Sequence, residues 1–86
     1  MYTVYVLKST KDNKLYIGCS KDVLKRLLEH NSGKNKSTRY RRPFNLVFKE
    51  DYEIKSDAFK REWYFKHTAE GNILMRKLSS ATNLPR

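Results

Sequence analysis

Glu62 is the acidic residue whose position most directly suggests chemistry. At about 100° of rotation per residue, it falls near the middle of the apolar side of a predicted helix, among Ala58, Phe59, Trp63, Phe65 and Ala69. A carboxylate on an apolar helix face is unfavourable unless it is paired with a cation or bound to a metal ion. The helix pattern alone favours a salt bridge to a Lys or Arg, with a bound metal ion as the alternative.

Two phenols, those of Tyr5 and Tyr16, are predicted to lie on one face of a β-hairpin. The hairpin turn is predicted at Asp12 and Asn13, between two runs of β-forming residues. Because side chains alternate along a strand, any loop of even length places both tyrosines and Gly18 on the same face. Taken alone, two strand tyrosines are more typical of a small core than of a functional site.

Arg26 and His30 stand one helical turn apart on the next predicted element. That helix is expected to begin at the N-cap Ser20 and to end near Asn31, before Gly33. Both side chains fall at the edge of its apolar stripe, which consists of Val23, Leu24, Leu27 and Leu28. A solvated helix edge without any chemical role is the alternative interpretation.

A basic segment over residues 34–43 is the predicted phosphate contact. Its Gly, Ser and Asn residues indicate a loop. Five cations and one tyrosine are available there: Lys34, Lys36, Arg39, Tyr40, Arg41 and Arg42. The cations would contact phosphates, and Tyr40 could stack on a base. This is the least specific of the motifs, since a basic loop is also a common solvated surface.

The elements that must position these groups predict one small α/β domain. Their order is β-β-α-β-α-α, which gives a mainly antiparallel three-stranded sheet flanked by helices. The predicted strands cover residues 2–7, 15–19 and 44–48, and the later helices cover residues 57–69 and 72–78. The acidic cluster at 50–53 is expected to follow the third strand. We expect the domain to span residues 1–79 and residues 80–86 to form a flexible tail.

Composition narrows the function classes. The 86 residues carry 19 Lys and Arg against nine Asp and Glu, a net charge of +10. So basic a surface repels itself unless it binds an anion, and nucleic acid is the usual one. Cys19 is the only cysteine, which excludes an internal disulfide, favours the cytoplasm and predicts a small buried side chain. One Cys and two His are too few for structural zinc, and no stretch approaches the ~20 apolar residues of a membrane span.

The order and spacing of these residues resemble the GIY-YIG nuclease domain. The match covers about residues 2–66, and the chain is similar to the small stand-alone bacterial members of that family. Any single piece is weak, but all pieces in the same order are specific. The matching residues are, in chain order, Thr3-Val4-Tyr5, Tyr16-Ile17-Gly18, Arg26, His30 and Glu62.

The resemblance implies a role for each matching side chain. Tyr5, in preference to Tyr16, would activate the attacking water. Arg26 would steady the phosphate, and His30 would transfer a proton or contact the phosphate. Glu62 would be the sole carboxylate that holds a divalent metal ion.

Three further positions qualify the resemblance. Gly18 would let the substrate backbone approach closely. Thr3 stands where the first triad of the family has glycine, which is expected to alter packing more than chemistry. The late asparagine of the family has only Asn72 as a candidate here.

The implied chemistry sets a requirement on the tyrosine. One carboxylate completed by water and phosphate oxygens suits Mg²⁺ or Mn²⁺, whereas a two-metal site normally needs several acids. A tyrosine has an ordinary pKa of about 10, which must fall by about 3 before it acts as a free base near pH 7. One nearby cation lowers such a pKa by about 1–3, so Arg26 and the metal ion would have to act together.

These observations predict a divalent-metal-dependent endonuclease that hydrolyses phosphodiester bonds in DNA rather than RNA. Direct attack by water, which gives a nick, fits better than a covalent link between a tyrosine and DNA, and the protein is expected to act as a monomer. A role on particular DNA structures in repair or recombination would fit. Target choice would come from DNA shape or from a partner protein, and no membrane is involved. Two alternatives stand beside this prediction: a non-catalytic nucleic-acid-binding module of the same fold, and a small basic RNA- or ribosome-associated protein.

Overall fold

A three-stranded antiparallel sheet separates two layers of helices. The computed structural model describes residues 1–82, with side chains through residue 77. The strands are β1 (Tyr2–Ser9), β2 (Leu15–Ser20) and β3 (Phe44–Tyr52), arranged in the order β2-β1-β3. The helices are α1 (Val23–Ser32), α2 (Lys55–His67) and α3 (Ala69–Thr82), with a 3₁₀ turn at Arg39–Arg41. This β-β-α-β-α-α order confirms the predicted fold class.

The hairpin of β1 and β2 has the predicted faces but a different register. Tyr5 pairs with Gly18, and Leu7 pairs with Tyr16, whereas a turn centred on Asp12 and Asn13 would have paired Tyr5 with Ser20. The loop is longer because the Ser9 hydroxyl accepts hydrogen bonds from two loop N–H groups. Asn13 takes a left-handed conformation, with φ 60°. An even number of residues, 9–14, separates the paired Lys8 and Leu15, so the tyrosine face is preserved.

The face of the sheet under α2 and α3 holds an apolar core. Its buried members are Val4, Val6, Ala58, Phe65 and Met75. Cys19 packs against this cluster from β2, on the face opposite the tyrosines, as a partly buried side chain. Burial of each large side chain contributes roughly 1.5–3 kcal/mol, so this layer is the main source of stability.

Helix α1 covers the other face. Its N-cap is Asp22, whose side chain accepts a hydrogen bond from the Lys25 N–H at 3.0 Å. The predicted N-cap, Ser20, is wrong because its backbone still belongs to β2. The predicted apolar stripe is also partly wrong, since Leu24 and Leu28 are 69% and 70% exposed. The residues of α1 that pack on the sheet are Val23, Leu27 and His30.

Strand β3 extends through the acidic cluster that was expected to follow it. Thr3 donates a hydrogen bond to Asp51 at 2.6 Å across the strand pair, and Glu50 forms a salt bridge to Arg61 of α2 at 2.9 Å. Because these acidic residues have hydrogen-bonding and ion-pair partners, they can remain in a half-buried strand. The threonine that replaces the first-triad glycine therefore has a structural partner.

The last helix is longer than predicted. It begins at Ala69 and continues to Thr82, so the first residues of the expected C-terminal tail are helical. The rest of that tail, residues 83–86, lies outside the described residues. Within residues 1–82, no helix is both long and apolar enough to cross a membrane.

Candidate active site at the edge of the sheet

The Tyr5 phenol reaches from the central strand to the free edge of β2. Its ring lies across Gly18, where an added Cβ would stand 2.5 Å from the Tyr5 hydroxyl oxygen. Only glycine therefore leaves room for the phenol at this position. The space in which the substrate backbone was expected to approach Gly18 is filled by Tyr5, and Gly18 itself is buried.

Three aromatic rings meet on this face of the sheet. The ring centroid of Tyr16 lies 6.4 Å from that of Tyr5 and 4.7 Å from that of His30. The Tyr5 and His30 centroids are 6.4 Å apart. The hairpin supplies both phenols and α1 supplies the imidazole, so residues distant in the chain form one cluster.

His30 is fully buried and is held from both of its ring nitrogens. Its Nε2 lies 3.5 Å from the Tyr5 hydroxyl oxygen, at the long limit of a hydrogen bond. Its Nδ1 lies 2.9 Å from Oγ1 of Thr38, which is also fully buried. The sequence placed His30 at a helix edge and gave no sign of Thr38, because a threonine in a basic loop has no distinctive spacing.

Burial and the Arg26 charge set the protonation of the cluster. Burial raises the pKa of Tyr5 above its ordinary value of 10.0, and the neighbouring Arg26 guanidinium, which lowers that pKa, does not overcome the effect of burial. Burial also lowers the pKa of His30 from 6.5, and the Arg26 charge lowers it further. The protein by itself therefore holds a protonated phenol beside a neutral imidazole near pH 7, and Arg26 alone does not lower the Tyr5 pKa enough to make a free base.

Arg26 links this cluster to solvent. Its Nη1 donates a hydrogen bond to Glu29 at 2.9 Å within α1, and 39% of its side chain is exposed. The guanidinium lies near enough to the Tyr5 hydroxyl to affect its pKa. Arg26 thus connects the buried Tyr5–His30 pair to a surface that an anion can reach.

Glu62 lies on α2, in the helical layer on the opposite side of the sheet. Its charge contributes to raising the pKa of both the Tyr5 phenol and the Cys19 thiol. Its Oε2 accepts a hydrogen bond from the Lys66 ammonium at 2.8 Å. The salt bridge that the helix pattern favoured is therefore present. Among the described residues, no three His, Cys, Asp or Glu side chains cluster as metal ligands.

Glu62 can hold a single divalent ion if the Lys66 ammonium moves away from its carboxylate. Glu62 is 18% exposed at its side chain, and Lys66 is 41% exposed. An i,i+4 pair of this kind stabilises a helix by only about 0.3–0.5 kcal/mol. Lys66 can therefore turn into solvent and leave both carboxylate oxygens available to a hydrated ion.

Comparison with known proteins identifies the family of the chain. A family model described as the GIY-YIG catalytic domain matches residues 1–73. The chain belongs to the GIY-YIG family. The GIY-YIG domain is typical of a nuclease superfamily. The resemblance seen in the sequence is therefore confirmed at the level of the family.

Individual relatives are of similar size. A UPF0213 protein of Staphylococcus saprophyticus is 45% identical over 64 residues, which are 73% of this chain and 77% of that protein. A UPF0213 protein of Staphylococcus epidermidis is 48% identical over the same shares. The solution NMR structure of a UPF0213 protein from Bacillus halodurans is 36% identical, with a TM-score of 0.54, and the match covers 91% of this chain and 85% of that chain. The chain is thus similar to small stand-alone members of the GIY-YIG family.

The candidate for the late asparagine of the GIY-YIG family lies beside the site. Asn72, on α3, lines a cleft of about 430 Å³ that also includes Tyr16 and Lys66. The cleft is lined by Leu15, Tyr16 and Ile17 of β2 on one side and by residues of α2 and α3 on the other. Tertiary structure therefore brings Asn72 to the same edge of the sheet.

The basic loop divides into anchored and exposed residues. Arg41 forms a salt bridge to Asp12 at 3.0 Å and lies over the Phe44 ring at 5.6 Å, so it fixes the loop to the hairpin. Arg39 stacks on the Tyr40 ring at 5.7 Å, and Tyr40 is 75% exposed. The remaining expected phosphate contacts are exposed: Lys34, Lys36 and Arg42.

Proposed function

We propose that this protein is a divalent-metal-dependent endonuclease that hydrolyses phosphodiester bonds in DNA. The observation that supports this most strongly is the cluster of Tyr5, Tyr16, Arg26 and His30 on one face of the sheet. Glu62 belongs to the other helical layer, and its charge acts on the Tyr5 phenol. Membership of a nuclease superfamily and a net charge of +10 support a polyanionic substrate.

In this proposal Tyr5 transfers a proton rather than acting as a free phenolate. As the water oxygen forms its bond to phosphorus, the water proton passes to the Tyr5 oxygen and the Tyr5 proton passes to Nε2 of His30. The bond from phosphorus to the leaving oxygen breaks, the leaving oxygen takes a proton from solvent water to become a hydroxyl, and a nick remains. A concerted transfer does not require a low Tyr5 pKa, so it is compatible with the burial that raises this pKa.

Thr38 acts in this proposal as a positioning residue. A neutral imidazole carries its proton on one nitrogen and accepts a hydrogen bond at the other. If Nδ1–H of His30 donates to Thr38 Oγ1, then Nε2 faces Tyr5 as the acceptor. We assign this tautomer because it is the one that lets His30 take the proton.

Arg26 and Glu62 have the two charged roles. Arg26, beside the Tyr5 hydroxyl and partly exposed, would bind the phosphate and stabilise the charge that develops on it. Glu62 would hold one Mg²⁺ or Mn²⁺ ion after Lys66 turns away. The ion, when bound, supplies charge stabilisation on the phosphate oxygens. The exposed basic loop would contact flanking phosphates.

A nicking assay tests this function. Purified protein is incubated with supercoiled plasmid and with branched oligonucleotides, in Mg²⁺, Mn²⁺ or EDTA. We expect metal-dependent cleavage that is lost in Tyr5→Phe and in Glu62→Gln, while both variants still bind DNA. Wild-type protein that is inert on every substrate, or cleavage that Glu62→Gln retains, would overturn the proposal.

A non-catalytic DNA-binding module is the second candidate. The Glu62–Lys66 ion pair favours it. A carboxylate neutralised by a lysine and a protonated Tyr5 are both expected in a protein that has no catalytic activity. In that case Glu62→Gln should change stability only slightly and leave DNA affinity unaltered. In either case we infer a cytoplasmic monomer whose target choice comes from DNA shape or a partner protein.

A further inference from the structure

Helix α2 presents an aromatic pair to solvent. The sequence pattern placed Phe59 and Trp63 on the apolar side of the helix, but they are 45% and 59% exposed. The residues of α2 that are buried against the sheet are Ala58 and Phe65. Two large aromatic side chains one helical turn apart are an unfavourable surface unless a ligand uses them.

Lysine side chains and the His67 imidazole lie beside this pair. The Lys55 ammonium lies 5.6 Å from the centroid of the Phe59 ring, and the His67 ring lies 5.2 Å from the Trp63 ring between centroids. Phe59, Trp63 and His67 line a shallow groove of about 190 Å³ together with Glu62 and Lys66. The aromatic surface therefore adjoins the carboxylate of the candidate active site.

We propose that Phe59 and Trp63 form a stacking platform for unpaired bases, so that the substrate carries a single-stranded segment beside the cleavage site. The position of the single-stranded segment beside the cleavage site rests on the proposed nuclease function. Binding of bases by Phe59 and Trp63 does not. Aromatic rings among cations suit single-stranded nucleic acid, because the rings stack on bases while the cations contact the backbone. Bases inside a duplex are stacked on one another and cannot cover these rings.

Charge argues against a second copy of the chain as the occupant. Each copy carries a net charge of +10, so a dimer through a lysine-rimmed surface brings like charges together. A single strand of DNA supplies negative charge and flat apolar faces at once. It therefore matches both properties of the surface.

Trp63 is the only tryptophan in the chain, so its fluorescence reports on this surface alone. In EDTA, we expect oligo(dT) and a duplex with a single-stranded tail to quench the emission, and a blunt duplex of equal charge to leave it nearly unchanged. Equal quenching by the blunt duplex and by oligo(dT) would overturn the platform.

Substitutions give the second measurement, by anisotropy of labelled DNA in EDTA. We expect Phe59→Ala and Trp63→Ala each to weaken binding of the tailed duplex by about 5–100-fold, as loss of one stacked base predicts. Binding of the blunt duplex should be unchanged. The matched control is the double variant Leu24→Ala and Leu28→Ala, which removes an exposed apolar pair from α1 and should have no effect on either DNA.

The outcomes separate this proposal from the nuclease proposal. Selective loss of tailed-duplex binding in a protein that never cleaves DNA supports the platform and removes the nuclease. Cleavage that is equally fast on blunt and tailed duplexes, with no effect of Trp63→Ala, removes the platform and supports the nuclease. Sedimentation that shows a dimer dissociated by Trp63→Ala would also overturn the platform, because a second copy would then be the occupant.

Discussion

The two faces of the sheet are built from different chemistry. Under α2 and α3, the fully buried side chains Val4, Val6 and Phe65 are hydrocarbon only. Under α1, the fully buried side chains include His30 and Thr38, and Tyr5 is 1% exposed. The same strand, β1, supplies both faces through alternate residues.

Because of this difference, the apolar face mainly stabilises the fold and the polar face mainly positions the side chains of the candidate site. An apolar layer gains free energy in proportion to the area it removes from water. A buried polar cluster gains little net free energy from each hydrogen bond, but an unpaired member is unfavourable by about 1–3 kcal/mol. The polar face is therefore expected to hold its groups in one arrangement. Substitutions on the two faces should accordingly change different measurements.

The largest effect is expected from Phe65→Ala. It empties a fully buried position and should lower the free energy of unfolding by about 3–5 kcal/mol, measured by urea denaturation. Phe65→Leu keeps most of the volume and should lose roughly 1 kcal/mol while keeping the cleavage rate per folded molecule. The exposed Phe59 on the same helix is the control, since Phe59→Ala should change stability by under about 0.5 kcal/mol. Similar losses at both positions would contradict the assigned core.

Thr38 tests the polar face. Thr38→Val keeps the side-chain volume but removes the hydroxyl, which leaves Nδ1 of His30 buried and unpaired. We expect a stability loss of about 1–3 kcal/mol and a larger proportional loss of cleavage. Thr38→Ser restores the hydroxyl and should recover both, and ¹⁵N NMR should find the His30 proton on Nδ1. Wild-type cleavage by Thr38→Val would show that Thr38 does not position His30.

A smaller effect follows from the lowered pKa of His30. Below about pH 6.5, the ordinary pKa of histidine, the unfolded chain binds a proton that the folded protein does not. This contribution to stability is fully present above pH 6.5 and is lost as the pH falls toward the lowered pKa. Urea denaturation between pH 7.5 and pH 5 should show the loss, and His30→Gln should reduce the slope. His67→Gln, at an exposed position, is the matched control and should leave the slope unchanged.

The smallest change in stability is expected from Lys66→Gln. It removes an exposed partner of Glu62 and should alter the free energy of unfolding by under about 0.5 kcal/mol. Because the carboxylate is then free of its competitor, the Mg²⁺ concentration for half-maximal cleavage should fall about twofold. Lys60→Gln removes the same charge elsewhere on α2 and serves as the control. An equal shift in both variants would mean that net charge, and not the ion pair, is responsible.

Much of the fold was predictable because it depends on local patterns. The alternation of side chains in the hairpin placed Tyr5 and Tyr16 on one face, and an error in the turn did not matter because both loops have even length. The family resemblance then grouped residues that no local pattern connects. The C-cap Gly33 was also predictable, since it takes the left-handed conformation at φ 83°.

Four errors in the predicted apolar helix faces share one cause. Leu24, Leu28, Phe59 and Trp63 follow a helical apolar pattern, yet all four are exposed. A helix pattern says which residues share a side, but the area of sheet available decides how many of them are covered. Three strands cover only a narrow stripe of each helix.

The sequence by itself determined the family, the order of elements and the face on which the tyrosines lie, because these follow from residue spacing and backbone alternation. Tertiary structure alone decided that His30 is buried against Thr38 and that Phe59 and Trp63 face solvent. Burial depends on which surfaces meet across the sheet. That is a property of packing between elements, and no single element encodes it.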